Sequence, residues 1–344
     1  MNSILQQYGS QFPDASLEVI SGGLINQTWK VTANGKNFIL QRINDTVFKE
    51  PRKIAANVRL LADHRKVIGS DYFLVSAIKT ESGEELAYEK GKGYYRLAPF
   101  VDNSKTIQVV ETPDQAYEAA LQFGKFSSTF SDFNAKRLHV TIPNFHDLAY
   151  RYKQFENALQ TGNSQRIRAC FDEITQIRRY VHLVDEYDRI CMNPAFKMRV
   201  THHDTKISNV LFDLKNKGIC VIDLDTVMPG YFFSDVGDMM RTYLSPANEE
   251  EQDFSKIEVR PVFYRAIVQG YSDGMKDDLS SEERNSFFLA GQFLIYMQSL
   301  RFLTDYFNND VYYGLQFEGQ NLARTRNQLS LFSAFVRAKE SQEI

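Results

Sequence analysis

The sequence predicts an α+β protein, with a small antiparallel-sheet lobe that contains one helix and a larger, mainly helical lobe after it. The chain has 344 residues, which is long for a single ordinary hydrophobic core. Its first hundred residues carry the turn signals and apolar runs of short strands. After Phe100, apolar residues recur at helical spacing. We therefore divide the chain into residues 1–100 and 101–344.

The small lobe is predicted around a β-hairpin. Asn34 and Gly35 form the strongest short hairpin signal, because both turn positions need left-handed backbone. They lie between predicted strands at 29–33 and 36–43. Other strands are predicted at 16–20, 72–78 and 93–100. One helix is predicted at 51–66, where Pro51 suits the first turn.

The large lobe is predicted to begin its helices at Thr112, an N-cap residue, with Pro113 at the first helical position. Apolar spacing predicts a second helix from about residue 148 and a third through 167–184. Short strands and loops are expected at 199–226. Two later helices are expected at about 257–271 and 282–307.

Composition excludes several classes of protein. The net charge is −3 and Lys and Arg are scattered, so nucleic acid is not an expected partner. The three cysteines, Cys170, Cys191 and Cys220, form no close pair, which favours a reducing cytoplasm over disulfides or zinc. We expect no signal peptide and no membrane span, since no apolar run approaches about 20 residues. Nothing in the sequence indicates the oligomeric state.

A polar loop at 201–209, THHDTKISN, carries the chemistry. Phosphoryl transfer to a hydroxyl needs a carboxylate that accepts the hydroxyl proton, and Asp204 is the candidate base. Asn209, five residues later, and Asp223, after an apolar strand, supply the oxygen ligands that Mg²⁺ prefers. Lys206 would lie beside the transferring phosphoryl group. The pattern predicts an ATP- and magnesium-dependent small-molecule kinase.

Each residue of this set is commonplace alone, so the joint pattern carries the prediction. Apolar segments at 210–212 and 220–222 flank a turn at 216–218, and the resulting hairpin would hold the base and both ligands at one mouth. For His202 we favour a structural role, a hydrogen bond to backbone that braces the two loops.

A glycine pair offers a candidate phosphate cradle. Gly22 and Gly23 join two predicted strands, and glycine lets backbone N–H groups approach phosphate closely. The segment is not a P-loop, since no Gly-Lys-Ser/Thr follows. A plain hairpin turn is the alternative.

Several blocks resemble one enzyme group. The blocks are GGLINQT at 22–28, FILQRIN at 38–44, THHDTKISNVLF at 201–212, VIDLDTVMPG at 221–230, DVGD at 235–238, RFLTDY at 301–306 and NLARTRNQ at 321–328. Together they resemble the aminoglycoside phosphotransferase and choline kinase group of protein-kinase-like folds. Within that group they resemble the N-acetylhexosamine 1-kinases.

The resemblance implies that ATP binds between the lobes and that its γ-phosphate passes to the anomeric hydroxyl of N-acetylglucosamine or N-acetylgalactosamine. The hinge at 96–101, with Pro99 and Phe100, is expected to contact adenine. Asp225 is expected to assist the metal or face the sugar. Arg301 and Tyr312 are expected to reach the sugar, although Arg301 could instead pair with Asp305 at i+4.

Position 41 departs from the wider kinase pattern. Kinases carry a phosphate-binding Lys there, and this chain has Gln41 followed by Arg42, with Asn57 in the next helix where a partner Glu would be convenient. Strand alternation puts Gln41 and Arg42 on opposite faces, so one of them points into the cleft. A Gln41–Asn57 hydrogen bond and an inward Arg42 are both open.

Two other functions compete. The acceptor could be an aminoglycoside, choline or a hexose, but a cationic acceptor needs carboxylates in the cleft, and the acidic run at 249–251 is expected to be a solvated loop. The chain could also be a catalytically inactive nucleotide-binding module. Retention of Asp204, Lys206, Asn209 and Asp223 together argues against that.

Overall fold

A computed structural model describes residues 1–10, 12, 14–20 and 26–344. In the small lobe, the elements in chain order are α1 (Asn2–Leu5), β1 (Ser16–Ile20), β2 (Gln27–Ala33), β3 (Lys36–Arg42), α2 (Pro51–Val67), β4 (Ala87–Glu89) and β5 (Gly93–Pro99). The strands form one antiparallel sheet in the order β1-β2-β3-β5-β4.

The β2–β3 hairpin confirms the turn prediction. Asn34 and Gly35 have φ values of 48° and 72°, the left-handed backbone that this pair tolerates. α2 begins at Pro51 as expected, and its buried face includes Ile54 and Leu61. The hairpin and the helix therefore follow from local sequence.

The strand predicted at 72–78 is wrong. This segment makes one isolated bridge to the sheet, between Ile78 and Leu97. Two of its apolar side chains, Tyr72 and Leu74, pack into the hydrophobic core of the large lobe instead. The Tyr72 hydroxyl also accepts a hydrogen bond from Val221 N at 3.2 Å. The fifth strand of the sheet is β4.

The large lobe contains short strands among many helices. In chain order its elements are β6 (Ser104–Lys105), α3 (Pro113–Thr129), α4 (Leu148–Thr161), α5 (Ser164–Ala169), α6 (Phe171–Arg179), α7 (His182–Met192), β7 (Arg199–Thr201), β8 (Val210–Asp213), β9 (Gly218–Val221), β10 (Met228–Gly230), α8 (Phe232–Tyr243), α9 (Pro261–Met275), α10 (Ser281–Arg284), α11 (Phe287–Phe307) and α12 (Gln320–Glu340).

The predicted cap of α3 is confirmed, and the predicted third helix is not a single helix. Thr112 Oγ1 accepts a hydrogen bond from Gln115 N, and the Gln115 side chain returns the contact as a capping box. The third helix is three pieces, α5, α6 and α7, because the backbone leaves helical geometry at Cys170 and again at Tyr180. α8 and α12 were not anticipated from the sequence.

Close helix crossings organise the large core. α3 and α9 approach so tightly that a Cβ on Gly270 would lie 2.3 Å from Tyr117 O. α11 is buried along most of its length between α8, α4 and α12. In the described part of the chain, no helix is both long enough and apolar enough to cross a membrane.

Candidate active site

Side chains of α8 hold the polar loop that follows β7, at residues 202–209, by hydrogen bonds. His202 N and His203 N both donate to the Asp235 carboxylate, at 3.1 and 2.7 Å. His203 has a φ of 67°, a left-handed conformation that is uncommon for a non-glycine residue. The two hydrogen bonds to a fully buried carboxylate hold the loop in that conformation.

A second α8 carboxylate holds the next turn of the loop. Thr205 N donates to Asp238 Oδ2 at 2.8 Å, and Tyr243 Oη donates to Thr205 O at 2.5 Å. Arg241 pairs with Asp238 at 2.9 Å, so the buried charge is compensated. Asp204 lies between these fixed points, which leaves its backbone little freedom.

Asp204 and Lys206 form a charged pair at the surface of the loop. Lys206 Nζ lies 3.6 Å from Asp204 Oδ1. Burial would raise the pKa of Asp204, but the charges of Lys206 and Arg241 and a hydrogen bond from Asn209 outweigh it and hold that pKa below its usual value. Asp204 also raises the pKa of Lys206. At neutral pH the carboxylate is therefore an ionised hydrogen-bond acceptor beside a fixed cation.

The β8–β9 hairpin brings Asn209 and Asp223 to the same mouth, as the sequence predicted. β8 and β9 are antiparallel, and Ile222 N donates to Asn209 O at 2.8 Å. Asn209 Nδ2 donates to Asp204 O at 2.9 Å, which leaves the amide oxygen as its acceptor group. Asp223 has a φ of 58° and an exposed side chain.

His202 has the structural role expected for it. Its Nε2 lies 2.9 Å from Ile222 O, and Thr226 Oγ1 donates to His202 O at 2.6 Å. Burial lowers the pKa of His202, so the imidazole is neutral. It joins the loop that carries Asp204 to the loop that carries Asp223.

The donor set at this mouth suits a hard divalent cation. Desolvation by its surroundings and the charge of Asp225 raise the pKa of Asp223 to about 7. The described residues contain no group of three or more His, Cys, Asp or Glu placed to hold a metal. One amide oxygen and one carboxylate still match Mg²⁺, which takes its other ligands from phosphate and water.

Asp225 is placed differently from Asp223. It is buried, its Oδ2 accepts from Asn26 Nδ2 at 2.7 Å, and its Oδ1 accepts from Arg96. Both carboxylate oxygens are thus occupied by residues of the small lobe. The carboxylate therefore points toward β5, and the expectation that Asp225 assists the metal or faces the sugar stays a prediction.

Strand register decides the question at position 41. Gln41 pairs across the sheet with Arg96, and Gln41 Oε1 accepts from Arg96 Nε at 2.8 Å. Arg42 lies on the other face, where its Nε donates to Lys92 O at 2.7 Å. The candidate role of Arg42 at the phosphates is therefore not supported by its position.

Asn57 does not bond to Gln41. Its Nδ2 donates to His139 O and Val227 O, at 2.8 and 3.0 Å, and its Oδ1 accepts from His139 N at 2.8 Å. α2 is thereby attached to the large lobe, close to the loop that carries Asp223 and Asp225. The open alternative of a Gln41–Asn57 hydrogen bond is excluded.

Arg301 and Tyr312 come together on the large lobe. Arg301 donates to Tyr312 Oη at 3.4 Å and to Gln298 Oε1 at 3.1 Å, and its guanidinium lies over the Phe145 ring at 5.1 Å. The alternative pairing with Asp305 is not seen, because that carboxylate accepts from the backbone at residues 312–313.

A chain of rings connects this cluster with the catalytic loop. Phe145 stacks on His146 at 4.4 Å between centroids, and His146 lies 5.3 Å from the ring of His203. His203 immediately precedes Asp204. One cation–π contact and two ring–ring contacts thus connect the guanidinium of Arg301 with the loop that carries the candidate base.

The acidic run at 249–251 is not the solvated loop that we expected. Glu249 accepts from Arg241 Nη1 at 2.7 Å, and Glu250 pairs with Arg324 and accepts from Gln320 Nε2 at 2.7 Å. These pairs join the loop to α8 and α12, so the acidic side chains beside the catalytic loop are already neutralised.

Four of the predicted nucleotide-binding residues are Gly22, Gly23, Pro99 and Phe100. Gly22 and Gly23 lie outside the described residues. Pro99 ends β5, and Phe100 N donates to Asn37 O at 3.2 Å. The Phe100 ring also lies 5.2 Å from Lys30 Nζ. A contact of Pro99 and Phe100 with adenine stays a prediction.

Sequence reasoning missed the residues that fix the loop and neutralise the site. Asp235 and Asp238 appeared in the resemblance without a role, and their i,i+3 spacing at a helix start was the available signal. Arg241 lies one further turn along the same helix. Arg96 was assigned to the hinge, yet it lies inside β5 and points its guanidinium at Asp225.

The sequence matches a known protein family, and the fold is similar to those of solved structures. The sequence profile of APH, the phosphotransferase enzyme family, matches residues 16–277. An aminoglycoside phosphotransferase from Alicyclobacillus acidocaldarius superposes with a TM-score of 0.63 at 12% identity, covering 100% of this chain and 96% of that one.

Two other solved structures share the fold. A spectinomycin phosphotransferase in complex with ADP and spectinomycin has a TM-score of 0.56 at 13% identity, covering 95% and 93% of the two chains. A choline kinase from Cryptosporidium parvum has a TM-score of 0.55 at 12% identity, covering 95% and 89%. At these identities the likeness concerns the α+β fold, and it spans nearly the whole chain.

Proposed function

The chain belongs to the phosphotransferase enzyme family, and from that membership we propose that it transfers the γ-phosphate of ATP to the anomeric hydroxyl of an N-acetylhexosamine. The observation that carries the proposal for a neutral acceptor is the pairing of the acidic side chains around Asp204. Asp238 and Glu249 share Arg241, and Glu250 pairs with Arg324.

A cationic acceptor would need one of these carboxylates to be free. Its ammonium groups would lose water in the cleft, and the loss must be offset by an anionic partner. Freeing Glu249 would leave Arg241 with a weaker set of counter-charges. Phenols, amides and guanidinium groups such as those of Tyr312, Gln298 and Arg301 instead suit the hydroxyls of a neutral sugar.

In the proposed reaction Asp204 orients the acceptor hydroxyl and takes its proton. Its ionised state and the hydrogen bonds that fix its loop support that role. Lys206, 3.6 Å from the base, would offset charge on the transferred phosphoryl group. Asn209 and Asp223 would hold Mg²⁺, which when bound neutralises phosphate oxygens.

The test is a radiolabelled ATP transfer screen over N-acetylhexosamines, hexoses, aminoglycosides and choline. We expect label on an N-acetylhexosamine, and its loss in mild acid, as for an anomeric phosphate. Label on choline or an aminoglycoside, or at position 6 of the sugar, contradicts the proposal. Asp204→Asn should lower kcat by about 10²- to 10⁴-fold, the usual contribution of a general base.

The sugar role of Arg301 has its own measurement. Arg301→Ala should raise the acceptor KM and leave the KM for ATP unchanged, since the residue lies on the large lobe beside Tyr312. The matched control is Arg168→Ala, an exposed arginine on α5. Equal acceptor KM values in the two variants would exclude Arg301 from the acceptor site.

A further inference from the structure

The small lobe has an arginine, Arg96, on β5 beside the position on β3 where kinases have a lysine. Position 41, where kinases place a phosphate-binding lysine, is an uncharged glutamine. Its direct neighbour across the sheet is Arg96 on β5. Because paired residues of adjacent strands project to the same face, the two side chains occupy neighbouring positions on the cleft side.

Hydrogen bonds fix the direction of the guanidinium. Gln41 Nε2 donates to Thr28 Oγ1 at 3.1 Å, which turns Gln41 Oε1 toward Arg96 Nε at 2.8 Å. One terminal nitrogen of Arg96 donates to Asp225, and the other lies 3.8 Å from Asp223 Oδ1. The Arg96 guanidinium therefore extends from Gln41, the position of the kinase lysine, to Asp223, the candidate metal ligand.

Arg96 is nearly buried, with its side chain 14% exposed, and it stays charged. Arginine stays protonated in proteins, and the ion pair with Asp225 compensates the buried charge. The contact with Asp223, at 3.8 Å, is too long for a hydrogen bond, so that end of the guanidinium keeps donor capacity.

We infer that Arg96, aligned by Gln41 and Asp225, is the small-lobe cation that contacts the nucleotide phosphates. The inference rests on the proposed function, in which Asp223 would hold the Mg²⁺ that neutralises the nucleotide phosphates. A guanidinium beside Asp223 is then within reach of phosphate oxygens, and guanidinium forks bind phosphate well. Gln41 acts as the positioning residue for Arg96.

The experiment measures binding of MgADP and of adenosine by titration calorimetry, without any acceptor. Arg96→Gln should weaken MgADP binding by about 10- to 100-fold, the effect of losing one charge-assisted contact, and leave adenosine within about twofold. The swap Gln41→Lys/Arg96→Gln returns a cation to the same face of the sheet and should recover most of the loss. Lys36→Gln, an exposed cation on the same strand as Gln41, is the control.

The outcomes separate this inference from the proposed function. If Arg96→Gln binds MgADP as tightly as the parent, or loses adenosine equally, the inference is overturned and the proposed function is untouched. A parent that does not prefer MgADP to adenosine contradicts the proposed function itself. If Arg96→Gln is unfolded by circular dichroism, the swap decides: parent-like preference for MgADP supports the inference, and no preference overturns it.

Discussion

Replacing Asn57 with alanine removes the contact that fixes α2 against the large lobe. The Asn57 side chain is fully buried and forms three hydrogen bonds to backbone, two with His139 and one with Val227 O. These bonds join a small-lobe helix to two separate segments of the large lobe. The helix is held by directional bonds as well as by apolar packing.

The expected loss follows from what each partner can do afterwards. His139 is exposed, so its backbone groups can bond to water, and each lost bond costs about 0.5–1.5 kcal/mol. Val227 is fully buried, and its carbonyl would be left without a partner at a cost of about 1–3 kcal/mol. We expect Asn57→Ala to lower the free energy of unfolding by about 2–6 kcal/mol.

Activity should fall as well, because Val227 lies two residues beyond Asp225. If α2 no longer holds that loop, the small-lobe contacts of Asp225 and the placement of Asp223 loosen together. Small displacements of catalytic groups are costly, and we expect kcat to drop by about tenfold or more.

The assay is urea unfolding of Asn57→Ala and the control Asn157→Ala, an exposed asparagine on α4. The only tryptophan, Trp29, lies in β2, so its fluorescence follows the small lobe while circular dichroism follows the helical large lobe. The control should stay within about 0.5 kcal/mol of the parent. If both variants unfold at the same urea concentration by both signals, the reasoning about Asn57 is wrong.

Three further predictions concern the large lobe. Glu283→Ala should lower the free energy of unfolding, measured in urea, by about 3–5 kcal/mol, because it leaves the buried Arg199 without the carboxylate that lies 2.5 Å from it. The control Glu282→Ala, at an exposed position, should leave the urea midpoint unchanged. Gly230→Ala should lower the free energy of unfolding by about 1–3 kcal/mol and lower kcat, since the added Cβ would lie 2.5 Å from His203 Nε2. A parent-like free energy of unfolding together with a parent-like kcat would contradict this steric argument. Burial lowers the pKa of His203 from 6.5 to about 4, so the unfolded chain binds the extra proton first and stability should fall as pH drops from about 6.5 toward 4. His203→Asn, which suits the positive φ, should flatten that decline in unfolding curves measured across this range, whereas parallel declines would exclude His203 as the cause.

The elements that the sequence predicted well are those specified by adjacent residues. The Asn34-Gly35 turn, the Thr112 cap and the Pro51 helix start each depend on residues within a few positions of one another. The hairpin between Asn209 and Asp223 belongs to the same class, since a short turn brings its two ends together. Local hydrogen bonds and backbone preferences decide such features whatever lies around them.

The errors arose where distant segments decide the structure. Residues 72–78 have the composition of a strand, yet Tyr72 and Leu74 are drawn into the large core. The acidic run at 249–251 has the composition of a solvated loop, but arginines on α8 and α12 lie opposite it. In both cases the partner lies far away in sequence, and local pattern cannot supply it.

Asp223 and Asp225 also show that local sequence does not reveal which distant residues pair with a side chain. Their different partners determine where negative charge remains in the site. Counted from the sequence, Asp204, Asp223 and Asp225 are equivalent acids facing one cleft. In the structure Lys206 lies against Asp204 and Arg96 is bound to Asp225. Among the described residues, the ion pair of Asp223 is a longer contact of 3.8 Å with Arg96. The left-handed backbone of Asp223 sets this division, because it turns Leu224 into the core and sends Asp225 back toward β5. Asp223 is therefore the carboxylate whose charge most needs a cation, and this is the residue that the kinase pattern assigns to the metal.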